Sequence, residues 1–291
     1  MKIAILSPNR TKISYTTKRI YEEAKKVFKK TELIPLVDIV LKVNNGLDVL
    51  YEKKSLKGFD YVLPRIDSKR AVIGYPVIRF LDDLGVKKPY PAETIHIAHN
   101  KFITLEQLVK NGVAVPETYL TASKEYAKKI IDKQKMPVIL KLLSSFGGKG
   151  VMIIETKDTA KATIDAMSVL KQEVLIEKYI PNPGEDIRGI VAGDEIIASY
   201  KRIAAPGEKR ANISAGGRGS FFKLTNEMEE IVFKCAKAVK SRLLAVDMIQ
   251  GKDGINVIEV NINPGLQGIE KATGINVAKR IVDFMVSEIK R

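Results

Sequence analysis

The chain has 291 residues, more than one small core accommodates, so two or three lobes are expected. No apolar run approaches the roughly 20 residues of a membrane span, and the start MKIAILSPNR reads as a strand entering a polar loop rather than a signal peptide, so a soluble, cytoplasmic protein without membrane contact is expected. A single cysteine, Cys235, excludes an internal disulfide and a Cys-based metal site, and a formal net charge of +15 fits nucleic acid, an acidic ligand or acceptor, or a Lys- and Glu-rich heat-adapted surface.

In chain order, Lys2–Leu6 reads as a strand, Thr16–Lys29 as a helix by the spacing of Ile20, Ala24, Val27 and Phe28, and Thr31–Pro35 and Tyr61–Pro64 as further strands. Ala71–Leu84 is helical and stops at Gly85. Such alternation predicts an α/β region with a parallel, helix-covered sheet, and in such sheets ligands collect beyond the carboxyl ends of strands, where Arg65 falls. Asn9-Arg10-Thr11 after the first strand lacks the Gly-x-Gly-x-x-Gly fingerprint, which counts against a dehydrogenase. Pro89 and Pro91 punctuate a boundary near residues 87–95. His96 and His99 follow, with no carboxylate or cysteine arranged beside them in sequence, and are weak metal candidates.

Lys101–Lys110 is expected as a helix ended by Asn111-Gly112, Ser123 as the cap of a helix to about Gln134, and Pro137–Leu142 as a buried strand with one charge, Lys141. A lysine in a Val-Ile-Leu-Lys-Leu strand is costly unless it meets an anion. Ser144–Gly150 is glycine-rich and runs directly into strand Val151–Glu155; it reads either as a flap whose amides cover phosphates or as a plain hairpin turn, and it is not a Walker loop. Thr156–Leu170 is helical, Val174–Ile180 a strand, and Asp186–Ala192 with Glu195–Ile203 a hairpin that carries Arg188 and Arg202. Ala204–Gly219 is expected as a cation-bearing loop with Lys209, Arg210, Asn212 and Arg218; Thr225–Ser241 and Asn276–Arg291 are helices.

The sequence from Leu243 to Gly265 organises these parts. Apolar residues alternate on both sides of Lys252-Asp253-Gly254. A three-residue turn with Gly254 left-handed sets Gly251 opposite Ile255 and Asp247 opposite Glu259, with Asn261 on the same face. The other face reads Val246, Met248, Ile258, Val260 and Ile262. Two facing carboxylates repel unless a cation lies between them, and Mg²⁺ takes such oxygens; solvated edge charges or lysine salt bridges are the alternative.

Lys141 with the flap, Glu177-Lys178-Tyr179-Ile180, Asp186-Ile187-Arg188, Arg210-Ala211-Asn212, Asp247 and Glu259–Gly265 together resemble the ATP-grasp ligases. The runs Pro264–Gly274 and Val62–Ile66 resemble the RimK-like α-L-glutamate ligase branch, and the order of motifs holds over essentially the whole chain. The resemblance implies an ATP-grasp fold, α/β and α+β, with an N-terminal pre-ATP-grasp (Rossmann-like) lobe over 1–95, a central lobe with the flap over 96–178 and a C-terminal lobe with the metal site over 179–291. It implies that Lys101 and Lys141 contact ATP, that Glu177, Lys178 and Tyr179 hold the adenine mainly through backbone, that Asp186 approaches the ribose, and that Arg210 and Asn212 hold the γ-phosphate and acyl group. Asp247, Glu259 and Asn261 would bind two Mg²⁺ or Mn²⁺; Arg202 and Arg210 would be catalytic; Arg65, Arg188 and Asn263 would face substrate, Asn263 standing where some relatives carry a small residue.

The expected reaction is ATP-dependent ligation of L-glutamate to an acceptor carboxylate through an acyl phosphate, the acceptor being a small coenzyme or an acidic protein C-terminus, with a homo-oligomer expected. Two other readings stay open: a ligase of amino-acid biosynthesis acting on a carrier protein, and a basic nucleic-acid binder without catalysis, which the paired carboxylates argue against.

Overall fold

The computed structural model describes residues 1–143, 150–205, 211 and 216–291. Strands Lys2–Ser7, Lys30–Pro35 and Tyr61–Pro64 form a parallel sheet with Lys2–Ser7 in the middle. Parallel neighbours need a crossover, and the first is helix Tyr15–Val27, which begins where the Ser14 hydroxyl accepts the Thr17 amide. Between the second and third of these strands lies an antiparallel meander that the sequence reading missed: Val40–Val43, Leu47–Tyr51 and Lys54–Ser55. Its first turn passes through Asn44, Asn45 and Gly46, so hairpin-forming residues were present; the short, weakly apolar flanks hid the strands.

The second sheet is wholly antiparallel, in the order Thr118–Thr121, Val174–Lys178, Val138–Lys141, Val151–Ile154. Its edge strand Thr118–Thr121 was not anticipated. Helices Lys124–Lys133 and Lys157–Val169, capped by Ser123 and Thr156 as the sequence suggests for Ser123, cover one face. Ala127, Ile131, Val138, Leu140, Ile164 and Ile176 close a core there that belongs to this lobe alone.

The third sheet runs Arg218–Phe221, Glu195–Ile203, Glu185–Ala192, Leu243–Gly251, Gly254–Asn261, all antiparallel. The loop expected to reach Gly219 stops sooner, because Arg218 and Gly219 pair with Ile203 and Arg202. The remaining parts of that loop, 206–210 and 212–215, and flap residues 144–149 lie outside the described residues, and Arg210 and Asn212 with them. Two apolar clusters join this sheet to the first. One unites Leu6, Val62 and Ile66 with Val246, Met248 and Val260; the other unites Ile5, Ile20 and Leu63 with Ile190, Leu243 and Met285 of closing helix Val277–Lys290. The first and third sheets therefore share their cores, and the second stands apart from both. Cys235 sits within the first cluster, and burial pushes its thiol up to about 12, as expected of an inert cysteine.

Candidate active site

A cleft of about 300 Å³ opens between the second and third sheets. Its first wall follows from the two-residue period of a strand. Ile139 and Lys141 share one face, and the register sets Ile139 beside Glu177 and Ile153, and Lys141 beside Leu175 and Val151. All six line the cleft. The result is an apolar platform with one charge pair: Lys141 Nζ donates to Glu177 Oε2 at 2.7 Å, diagonally across the strands. Glu177 is 1% exposed, so the anion that makes Lys141 tolerable is a carboxylate of the protein itself. Lys101, at the start of helix Lys101–Lys110, reaches the same space and donates to the Leu143 carbonyl at 3.4 Å. Burial draws the Lys101 ammonium below its ordinary pKa, with Lys141 adding to this and Glu259 opposing it.

The second wall is a row of charges across the third sheet. Arg202 lies opposite Asp186, Arg188 opposite Asp247, and Asp247 opposite Glu259. Arg188 Nε and Nη2 donate to the two oxygens of Asp247, both at 2.6 Å. Arg202 forks onto Asp186, with Nη2 at 2.8 Å from Oδ2 and Nε bonded to Oδ1, and the same Nη2 lies 2.7 Å from Asp247 Oδ2. Asp247 is 2% exposed. Burial alone would raise its pKa; Arg188 and then Arg202 outweigh that and hold the carboxyl down at about 2. The sequence left a metal ion, solvated charges or lysine salt bridges open as the relief of repulsion at Asp247; two guanidinium groups hold it.

The hairpin reaches the expected pairing by another route. The turn has two residues, Lys252 and Asp253, with Gly251 opposite Gly254 rather than Ile255. That register would have carried Glu259 away from Asp247, but a bulge between Asp247 and Met248 on one strand, facing Val257–Glu259 on the other, restores it. Val257, not Ile258, completes the buried face with Val246, Met248, Val260 and Ile262, while Ile258 lines the cleft. Glu259 and Asn261 also line it. Among the described residues no hydrogen bond or ion pair holds the Glu259 carboxylate, and Asn261 Oδ1 accepts the Asn263 amide at 2.8 Å.

The end of the cleft is built where the first sheet meets the third. Asp67 and Ser68 follow strand Tyr61–Pro64, His99 follows helix Glu93–Ala98, and Asn263 follows the carboxylate strand. Asn263 Nδ2 donates to the Ile66 carbonyl, and Arg65 Nη2 donates to the Pro264 carbonyl at 3.2 Å and the Asn263 carbonyl at 3.5 Å. Arg65, expected toward substrate, is 7% exposed and does not line the cleft; it ties the two lobes together, and burial pulls its guanidinium down to about 10. Arg188 likewise lies behind the surface, committed to Asp247. The structure brings Lys101, Lys141, Glu177, Lys178, Tyr179, Asp186, Arg202, Asp247, Glu259, Asn261 and Asn263 to one cleft. The sequence reading missed Asp67, Ser68 and His99, although the first two stand at a parallel strand's carboxyl end, where the same rule had pointed to Arg65.

A nucleotide-sized cleft between two sheets, with lysines on one wall and acidic side chains on the other, is the arrangement of an ATP-grasp ligase, and this protein is an ATP-dependent ligase. Residues 98–285 match the RimK-like ATP-grasp domain and residues 1–95 the RimK PreATP-grasp domain. The chain belongs to the RimK-like ATP-grasp family. It is 34% identical over 288 residues to a protein of Trichodesmium erythraeum named "Probable alpha-L-glutamate ligase", covering 98% of this chain and 96% of the relative. Its fold is similar to that of a RimK domain ATP-grasp protein from Sphaerobacter thermophilus, at 20% identity and a TM-score of 0.72 over 98% of this chain and 99% of the other. It is also similar to the ATP-grasp ligase PsnB complexed with minimal precursor, Mg and ADP, at 15% identity and a TM-score of 0.77 over 99% and 97% of the two chains. Among the described residues no helix is long and apolar enough to cross a membrane.

Proposed function

We propose that the chain ligates L-glutamate to an acceptor carboxylate at the expense of ATP, in the cytoplasm. The observation that carries this reading is the joining of Lys101 and Lys141 with Asp247, Glu259 and Asn261 in one cleft, together with relatives named for α-L-glutamate ligation. The lobes would be 1–95, 96–178 and 179–291, with the nucleotide gripped between the last two. The apolar platform of Ile139, Ile153 and Leu175 suits an adenine ring, and since the Glu177 side chain is spent on Lys141, the backbone from Glu177 to Tyr179 is what remains to read its edge. Lys101 and Lys141 would meet phosphates, and Asp186 the ribose side.

Hard oxygen donors suit Mg²⁺ or Mn²⁺. Glu259 is uncommitted among the described residues, Asn261 keeps a lone pair, and Asp247 Oδ1 accepts one bond against two on Oδ2, so the residues fit a divalent ion, and two ions are proposed. Bound there, the ions supply neutralisation of phosphate charge. A carboxylate is a poor electrophile; transfer of the γ-phosphoryl group makes it an acyl phosphate, which an amine attacks with loss of phosphate. Arg202, with Arg210 from outside the described residues, would stabilise the charge that develops on oxygen. Arg65 and Arg188 would act as supports for Pro264 and Asp247. The basic chain, at +15, favours an acidic acceptor, whether a coenzyme or a protein tail.

The test is ADP release with Mg-ATP, L-glutamate and a panel of acidic acceptors, read by mass spectrometry. Glu259→Ala is expected to lower turnover by about 100-fold or more, the range seen when charge stabilisation is removed from a transition state. Full ADP release by this variant would defeat the metal assignment.

A further inference from the structure

The end of the cleft has a polarity opposite to its lysine wall. Three acceptors line it. Asn263 spends its Nδ2 on the Ile66 carbonyl, which fixes the amide and leaves Oδ1 buried without a hydrogen-bond partner among the described residues. The His99 Nε2 is likewise buried and unpartnered among the described residues. In the neutral tautomer protonated at Nδ1, Nε2 is an acceptor. Burial favours the neutral ring, against an opposing effect of Asp67. Asp67 adds a carboxylate whose Oδ1 accepts the Arg70 amide at 3.0 Å. No donor is offered by these three side chains toward the cleft, and buried acceptors left unmet cost free energy until a donor arrives.

We infer that Asn263 Oδ1, His99 Nε2 and Asp67 form the subsite that receives the amino group of the incoming amino acid, two residues beyond Asn261 on the same strand end. The inference rests on the ligase reading above and deepens it. An ammonium or amine has donors and no competing negative charge, so it complements three acceptors; a phosphate or carboxylate has the opposite complement and belongs at the lysine end. The ligand class is therefore a primary amine, L-glutamate on the present reading. Ile66 supports the site, since the Asn263 amide is oriented through its carbonyl, and Arg65 immediately before it holds the Asn263-Pro264 turn.

The experiment is calorimetric titration of the full chain, with Mg²⁺ and a non-hydrolysable ATP analogue, using L-glutamate and N-acetyl-L-glutamate as paired probes. Acetylation is expected to weaken binding about tenfold or more, the scale of one hydrogen bond to a charged donor. His99→Phe and Asn263→Ser are each expected to weaken L-glutamate by a similar factor, to abolish discrimination against the acetylated probe, and to leave affinity for the ATP analogue unchanged. Equal binding of both probes by the unsubstituted protein would overturn the amine subsite while leaving the glutamate reading standing. Binding of neither would overturn that reading and the inference with it. Variants that keep discrimination, or that lose the ATP analogue as well, would show these side chains to be supports only.

Discussion

The two walls of the cleft solve one problem, buried charge, in different ways. The wall from the second sheet has an isolated pair, Lys141 and Glu177, on an otherwise apolar platform. The wall from the third sheet has a network in which Arg202 is shared by Asp186 and Asp247, and Asp247 by Arg202 and Arg188. An isolated pair can be removed as a unit, or its survivor can neutralise itself by binding or releasing a proton. A network cannot, because its two central members, Arg202 and Asp247, each stabilise two others. The pair therefore suits a surface that stays largely apolar, and the network suits one that must hold the Asp247 carboxylate ionised and fixed, while burial raises Asp186 to about 6.

Three measurements bear on this contrast. The largest effect is expected from Arg202→Met, which leaves Asp186 bare and Asp247 with half its support; loss of one partner from a buried ion pair costs about 3–5 kcal/mol, read by urea denaturation. A smaller effect is expected at the other wall. Lys141→Met alone should destabilise, but Lys141→Met with Glu177→Leu should return to within about 1.5 kcal/mol of the unsubstituted chain, since an apolar pair replaces an ionic one at similar volume. The double variant should nonetheless bind ATP more weakly. If Arg202→Met is as mild as that double variant, the network has no special standing. The third effect is in pH. The folded Asp247 carboxyl, held at about 2, lies below its unfolded value, so its contribution is fully present above the unfolded pKa and is lost as pH falls. The stability gap between the unsubstituted chain and Asp247→Asn should shrink by about 2 kcal/mol as pH falls from about 5 to about 2. A gap that widens on acidification would contradict the arginine clamp.

Local pattern made much of this legible. The strands of the first sheet, the capping Ser123, the Lys101–Lys110 helix and the hairpin around Gly193-Asp194 follow from periodicity and short-range chemistry, which neighbouring residues specify. The pairing of Asp247 with Glu259 was also foreseeable, though for an incomplete reason: the two-residue turn alone gives the wrong register, and only the bulge at Ile258 corrects it. A bulge depends on how both strands bury their faces, and no local motif announces it.

By itself, then, the sequence determined most of the longer helices and strands and, up to the bulge at Ile258, which side chains share a strand face, because those follow from spacing along the chain. Only the tertiary structure decided the partners of the buried charges. Arg188 and Arg202 close on Asp247 from 59 and 45 positions away, Glu177 meets Lys141 from 36, and Ile66 orients Asn263 from 197. A charge removed from water takes whichever counter-charge the packing brings within reach, and that is a property of the packed sheets, not of any one stretch of chain.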